Sequence, residues 1–252
     1  MNPFLGPETA TIYARARPDY HSAAIAAAIR CLNLRPPVTR AVDVGCGTGM
    51  SSRALAAIAG HVVGLDISRP MLRAAEQRAG VQYVQAAAER IPLATGSADL
   101  MVTAAAFHWF DQAAMLAEAA RVAAPDGALA VYTDFFSGRL IGADDCTDWL
   151  AKTYRTRFPS PARRSHFDAG IAEAAGFRFV GEERLQHEVP MTADPLADYL
   201  LSQSNATSAV DSGRWQLDEL RTWLRGELGQ RWPSGAVAAV FTGNVWCCRK
   251  AA

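Results

Sequence analysis

A carboxylate and three closely spaced glycines stand together at the end of an apolar segment. Asp43 lies two residues before Gly45, and Gly47 and Gly49 follow at alternate positions. Glycines directly after a strand let the backbone adopt positive φ and approach a ligand closely. A dinucleotide site would have its third glycine where this chain has Met50, and it would hold a pyrophosphate that Asp43 repels. The segment therefore predicts a loop that receives a cationic ligand.

A second carboxylate, Asp66, ends the next apolar segment. It follows the glycines by about 20 residues, the spacing at which an acidic residue binds ribose hydroxyls in a βαβ nucleotide site. S-adenosylmethionine combines a ribose with a sulfonium and an α-ammonium in place of phosphates, so it fits both acids. The alternative is structural: Asp43 caps the loop, and Asp66 caps the helix that follows.

Strands that alternate with helices position these residues. Apolar residues at helical spacing predict helices over 21–34, 50–59, 69–79 and 111–123. This alternation is typical of right-handed βαβ units and of an α/β fold with a doubly wound parallel sheet. Ligands bind at the carboxyl ends of such strands. The glycine loop, Asp66, Ala88–Glu89 and the loop 104–109 are predicted to meet at that edge.

The pattern changes after the fifth strand. The predicted elements there are a helical insertion over 137–164, a helix over 165–176, a strand over 177–190, helices over 194–230 and a last strand over 237–249. No internal repeat or flexible linker separates them. A single domain over residues 1–252 is therefore predicted, with its core at about 38–135.

Composition narrows the functional class. The 252 residues carry 25 basic and 25 acidic side chains, and 50% are hydrophobic, so nothing predicts binding to nucleic acid or to an anionic membrane. No segment predicts a membrane span or a signal peptide, and a cytoplasmic location is expected. Five scattered cysteines suit a reducing compartment, and no Cys/His cluster predicts a metal site. Cys247 and Cys248 are expected to point to opposite faces of a strand.

Five segments in chain order resemble the motifs of the class I S-adenosylmethionine-dependent methyltransferases. The resemblance begins with the glycine loop and Asp66, and it continues through 84–92, 99–111 and 124–132. One departure is Ala87, where the family usually has an aspartate, so a side-chain hydrogen bond to the adenine amine is expected to be missing.

Two further segments are similar to a narrower group. The sequence His-Trp-Phe-Asp at 108–111 and the segment Tyr13–Pro18 resemble the trans-aconitate methyltransferase-like, type 11 branch. The resemblance implies a Rossmann-like, seven-stranded, mostly parallel sheet whose last strand inserts antiparallel between the fifth and sixth. It also implies helical cap insertions over the methyl donor, a small-molecule acceptor, and a monomer or homodimer.

The resemblance also implies roles for individual residues. Asp43 would meet the methionyl ammonium directly or through water, and Asp66 would accept both ribose hydroxyls. Ile67 and Met71 would pack on the adenine, while the carbonyl of Ala104 or of a neighbour would take another ammonium hydrogen. The predicted contacts with S-adenosylmethionine, and with its product S-adenosylhomocysteine, are Asp43, Gly45, Cys46, Gly47, Thr48, Gly49, Asp66, Ile67, Met71, Ala88, Glu89, Ala104 and Phe107.

His108 and Tyr13 are the candidate catalytic residues. His108 lies just beyond the fourth strand, and an imidazole there would act as a general base or orient the acceptor. Alternatively, it packs between its aromatic neighbours. Tyr13 would contact the methionyl carboxylate or the reacting methyl, or else its arm is held only by aromatic packing.

Acceptor-binding residues are predicted less sharply. An arginine group would clamp a carboxylate acceptor, although a solvated helical face is the favoured interpretation. Its members are Arg155, Arg157, Arg163 and Arg164. Aromatic residues would line an apolar acceptor pocket or belong to the core. They are Trp109, Phe110, Phe135, Phe136 and Trp149.

Three other functions compete with a small-molecule methyltransferase. A nicotinamide or flavin oxidoreductase conflicts with Met50 and Asp43. A nucleic-acid base methyltransferase would need a basic face and a different motif after the fourth strand. A non-catalytic protein that binds S-adenosylmethionine would have the same loop and acids, and only activity separates it from an enzyme.

Overall fold

A computed structural model describes residues 6–162, 167–232 and 235–251. Its α-helices are α1 (Pro7–Ala16), α2 (His21–Leu32), α3 (Met50–Leu55), α4 (Arg69–Arg73), α5 (Gln112–Val122), α6 (Thr147–Trp149), α7 (Arg155–Arg157), α8 (Ala169–Ala174), α9 (Ala193–Leu201), α10 (Ser204–Asp211) and α11 (Leu217–Arg231). Its strands are β1 (Val38–Val44), β2 (Ala59–Asp66), β3 (Val81–Gln85), β4 (Ala98–Ala104), β5 (Ala123–Tyr132), β6 (Phe135–Ile141), β7 (Phe177–Met191) and β8 (Val237–Lys250). A 3-10 turn over Phe107–Trp109 follows β4, and a π-helical turn over Leu150–Tyr154 separates α6 from α7.

The described chain forms two compact units. The core unit comprises residues 19–134, 167–185 and 243–251, and the insertion unit comprises 6–18, 135–162, 186–232 and 235–242. Strands β7 and β8 contribute to both units. The prediction of a single domain stays a prediction.

The sheet confirms the α/β fold class. Its order is β3-β2-β1-β4-β5-β8-β6, with β7 also pairing with β8. Strands β1 to β5 pair in parallel, whereas β8 runs antiparallel to β5. The antiparallel last strand beside the fifth is thus confirmed. The sheet has eight strands where the resemblance implies seven, because residues 135–141 form a strand.

Both faces of the core sheet are covered by apolar side chains. Val42 and Val44 enter one hydrophobic cluster, whereas Ala41 enters the other. Cys247 and Cys248 divide in the same way, which confirms that they point to opposite faces. An apolar run without polar alternation is what a parallel strand covered on both faces requires. All five cysteines are free thiols.

The prediction of a helix from residue 137 is wrong over β6. Phe136 and Leu140 are buried while Phe135, Arg139 and Ile141 are exposed, an alternation typical of a strand. The segment pairs antiparallel with residues 238–242 of β8. Helices begin only at α6, so the sheet partner overrides local helix propensity.

Two helices are shorter than predicted. The segment 50–59 is helical only through α3, because β2 begins at Ala59. The segment 69–79 is helical only through α4, and residues 76–80 are all exposed. A helix over 76–80 would bury no apolar face, and such a face supplies most of the stability of a helix in a protein.

Candidate functional site

Asp43 lies near the carboxyl end of β1 and is completely buried. The hydroxyls of Ser51 and Ser52, in the first turn of α3, both donate to its Oδ2 atom at 2.6 Å. Its Oδ1 atom is buried and has no hydrogen-bond partner among the described residues. Burial raises the pKa of Asp43 to about 6 against the opposing effect of the serine hydroxyls. A buried carboxylate oxygen without a hydrogen-bond partner favours a cationic ligand.

Full burial limits how a ligand reaches this carboxylate. Asp43 exposes 0% of its surface, while Gly45 and Gly47 in the loop after β1 are partly exposed. The hydroxyl of Thr48, in the same loop, is likewise buried and has no partner within the described chain. A ligand would contact Asp43 through a bridging water or after a small shift of this loop.

Asp66 joins the end of β2 to the glycine loop. Its Oδ2 accepts the Gly47 N–H at 2.8 Å, and its Oδ1 accepts the Ser68 N–H at 2.7 Å. Burial raises the pKa of Asp66, and these N–H donors oppose the rise. The side chain that caps α4 is Ser68, which accepts the Met71 N–H, so capping does not explain Asp66. Each carboxylate oxygen keeps a lone pair that a ribose hydroxyl can use.

The three glycines have positive φ angles of 74°, 54° and 76° for Gly45, Gly47 and Gly49. A Cβ on Gly45 would lie 2.7 Å from the Ala106 Cβ, and a Cβ on Gly49 would overlap the Tyr83 hydroxyl. A Cβ on Gly47 would meet no atom of the described chain within 4 Å. Packing therefore explains two of the glycines, and Gly47 faces open space where a ligand can approach.

The loop after β4 begins with a strained turn. Ala105 has a φ of 50°, and its N–H donates to the Tyr132 carbonyl at 2.7 Å. This left-handed conformation is uncommon for alanine and turns the chain directly after Ala104. Phe107 follows and is 4% exposed, packed against Phe167 at a ring distance of 5.3 Å.

The predicted adenine side has one exposed apolar residue. Ile67 is 54% exposed, whereas Met71 is 2% exposed and lies in the core. Ala88 is buried, and the Glu89 carboxylate accepts the Asp111 N–H at 2.7 Å. Ile67 thus offers an apolar surface beside Asp66, and the Glu89 side chain ties the loop after β3 to the start of α5.

The two candidate catalytic residues lie in different units. His108, in the core unit, is half-buried, and its ring lies 5.0 Å from that of Trp109. Tyr13, in the insertion unit, lies under the Arg17 guanidinium at 4.6 Å. Their catalytic roles stay predictions.

The arginine group divides. Arg157 is exposed and stacks on Trp223 at 4.9 Å and on Trp215 at 5.3 Å, and Arg155 is exposed on the same short helix. Arg163 and Arg164 lie outside the described residues. Contacts with two tryptophans favour a packing role for Arg157 over a carboxylate clamp.

The aromatic candidates also divide. In the insertion unit, Phe136 and Trp149 belong to the hydrophobic cluster, whereas Phe135 is 48% exposed. In the core unit, Trp109 and Phe110 are half-buried. A Cβ on Gly45 would lie 2.8 Å from the Phe110 Cζ, so the Phe110 ring lies against the glycine loop.

Four side chains of this site are not predicted from the sequence. Ser51 and Ser52 hold Asp43, Tyr83 lies against Gly49, and Gln85 donates to the Ile67 carbonyl at 3.1 Å. The adjacent serines directly after the glycine loop were a readable signal, because a helix N-terminus often uses hydroxyl side chains. Tyr83 and Gln85 carried no such signal.

Residues 42–131 match the profile of a family described as a methyltransferase domain, type 11. Over this segment the chain is similar to the class I methyltransferases of type 11, as the sequence motifs predict. S-adenosylmethionine is the cofactor that the family and the fold support, and the buried Asp43, the partly buried Asp66 and the open glycine loop fit it. Within the described chain, no helix has the length and apolar character of a membrane span, and no three acidic, His or Cys side chains group as a metal site.

Curated relatives and solved structures extend this match. A malonyl-[acyl-carrier protein] O-methyltransferase of Pseudescherichia vulneris is 41% identical over 39% of this chain and 40% of its own length. One of Enterobacter lignolyticus is 28% identical over 98% of this chain and 97% of its own. A structure described as a type II methyltransferase from Anaeromyxobacter dehalogenans has a TM-score of 0.66 at 26% identity, covering 89% of this chain and 95% of that one. The chain spans only 35% to 40% of the length of two curated relatives that it matches.

Proposed function

We propose that the protein transfers a methyl group from S-adenosylmethionine to a small-molecule acceptor. This proposal depends on the buried Asp43. Its Oδ1 has no hydrogen-bond partner in the described chain and can accept a hydrogen bond from a cationic group. Asp66 on the neighbouring strand supplies acceptors for a ribose. Two carboxylates beside a glycine loop favour a ligand with a sulfonium and an ammonium over the phosphates of NAD or FAD.

The chain's own residues would mainly bind and orient. S-adenosylmethionine, when bound, supplies a methyl group on a sulfonium, a leaving group that is already activated. Asp43 would hold the methionyl ammonium, and Asp66 would accept ribose hydroxyls. Gly47 would allow close approach, and Ile67 would cover one face of the adenine. Because positioning supplies much of the rate in such a displacement, a general base is optional.

The test of this proposal is calorimetric. S-adenosylmethionine and S-adenosylhomocysteine should bind to the purified protein, whereas NAD and FAD should not. Tight binding of NAD without binding of S-adenosylhomocysteine would contradict the proposal. Binding without transfer to any acceptor would leave the non-catalytic alternative.

A carboxylate is a specific candidate for the methyl acceptor. A relative that aligns over nearly the whole chain is described as a malonyl-[acyl-carrier protein] O-methyltransferase, which favours a carboxylate acceptor. A labelled methyl donor should be tested with a malonyl thioester on its carrier protein, with trans-aconitate, and with small amines and thiols. Label that remains in a base-labile ester would identify a carboxylate acceptor.

His108→Ala separates a catalytic from a packing role for this imidazole. If His108 acts as the general base, the single-turnover rate should fall by about 100-fold while the affinity for S-adenosylhomocysteine is unchanged. Trp109→Phe, which alters its aromatic neighbour, is the matched control and should retain most of the rate. An unchanged rate in His108→Ala would end the general-base hypothesis.

A further inference from the structure

Both side-chain hydrogen bonds that the described chain donates to the Asp43 carboxylate end on the same oxygen. Ser51 and Ser52 both donate to Oδ2 at 2.6 Å, and Oδ1 has no partner in the described chain. Distances this short are typical of hydroxyls that donate to an ionised carboxylate. Consecutive serines of α3 therefore converge on a single oxygen and leave the other with its lone pairs available.

We propose that Ser51 and Ser52 are positioning residues of the cofactor site: they hold Oδ2 of Asp43 and reserve Oδ1 for the cationic group of the donor. The inference rests on the proposed function. If the two hydroxyls divided between the oxygens, a cation would meet two partly satisfied acceptors. With both on Oδ2, one acceptor keeps its capacity and a defined direction, whether the cation is contacted directly or through one water.

The groups around Asp43 determine the pH range over which the donor can bind. Among the described residues, the titratable groups that interact electrostatically with Asp43 are Asp66 at the end of β2, Cys46 in the glycine loop and Tyr83 on β3. Arg53 interacts with Tyr83. Burial raises the pKa of Cys46 well above its usual range and that of Tyr83 to about 12, so neither titrates near neutrality. Burial raises the pKa of the two remaining acids, Asp43 and Asp66.

Removing either hydroxyl should make Asp43 harder to ionise. Burial raises the pKa of Asp43 to about 6, and hydrogen bonds from Ser51 and Ser52 limit that rise. Without one of them, the pKa of Asp43 rises further, and an ammonium group meets a protonated partner over a wider pH range. The affinity for a donor should therefore weaken below a pH that is higher than in the unaltered protein.

Calorimetric titration of S-adenosylhomocysteine, which keeps the α-ammonium, tests this from about pH 5.5 to about pH 8.5. The midpoint of the pH profile should rise by about one unit in Ser51→Ala and in Ser52→Ala, so each should bind it about tenfold more weakly at about pH 5.5 and nearly normally at about pH 8.5. The comparison ligand is 5′-methylthioadenosine, which has the adenosine but no ammonium. Its affinity should be unchanged in both variants.

The matched control is Ser97→Ala. The Ser97 hydroxyl donates to the Ala94 carbonyl at 2.7 Å before β4, at the end of the strand away from Ala104. This variant should reproduce the unaltered pH profile for both ligands. If an alanine variant does not fold, Ser51→Cys keeps the shape with a weaker donor and should show the same direction of shift.

The outcomes are distinguishable. Profiles for S-adenosylhomocysteine that match those of the unaltered protein in the folded Ser51 and Ser52 variants would overturn the positioning role and leave only a structural link between β1 and α3. Failure of the unaltered, folded protein to bind either adenosine ligand would overturn the proposed function instead.

Discussion

Asp43→Asn should weaken binding of S-adenosylhomocysteine by about 100-fold at pH 8. The substitution keeps the shape of the side chain but removes the negative charge that a buried ammonium contact needs. Loss of one charge-assisted hydrogen bond is worth about 2–3 kcal/mol, which corresponds to that loss of affinity. Isothermal titration calorimetry measures it, with 5′-methylthioadenosine as a ligand that should bind nearly unchanged.

Asp43→Asn should also change how the free energy of unfolding depends on pH. The pKa of Asp43 is raised from 3.8 to about 6 in the folded protein, so the folded state binds more protons than the unfolded state between these values. The raised pKa therefore adds to the free energy of unfolding at low pH. This contribution is lost as the pH rises through about 6. From the size of the shift, the loss is about 3 kcal/mol.

Asp43→Asn has no such titration. Between about pH 4 and about pH 7, its free energy of unfolding should fall by about 3 kcal/mol less than that of the unaltered protein, as measured by urea denaturation without ligand. Parallel pH profiles would show that Asp43 titrates normally. An unchanged affinity for S-adenosylhomocysteine would remove Asp43 from the cofactor site. A smaller loss of stability with rising pH, together with loss of binding, would indicate that Asp43 is kept for function.

Gly47→Ala and Gly45→Ala should separate ligand approach from packing. Alanine at position 47 suffers only the strain of a positive φ, about 1–2 kcal/mol, because its Cβ meets no described atom within 4 Å. That methyl group occupies the space through which a donor is proposed to approach, so affinity for S-adenosylhomocysteine should fall more than tenfold. Alanine at position 45 also overlaps Ala106 and Phe110, which raises the destabilisation to about 3 kcal/mol.

The matched control is Gly96→Ala. Gly96 has a φ of 67°, and its Cβ would likewise meet no described atom within 4 Å, but it precedes β4 at the end away from the glycine loop. It should lose as much stability as Gly47→Ala and no affinity. Thermal denaturation and calorimetry on the three variants give both quantities. If Gly47→Ala binds as tightly as Gly96→Ala, the donor does not approach the loop at this point.

Much of the fold and of the candidate site could be predicted from local features of the sequence. The left-handed glycines are a property of single residues, so their positions after β1 could be predicted without knowing their neighbours. The alternation of side chains along a strand is also local, which is why Cys247 and Cys248 could be assigned to opposite faces. Asp43 and Asp66 could be brought to one edge because parallel strands place their carboxyl ends together.

Only the tertiary structure decided the features that depend on partners distant in the chain. Residues 135–141 form a strand because β8 pairs with them, although the sequence from residue 137 predicts a helix. The convergence of Ser51 and Ser52 on one oxygen of Asp43 depends on how α3 packs against β1. Residue types and spacing determine the backbone's local conformations, but contact between remote segments determines which polar atoms are satisfied and which one is left for a ligand.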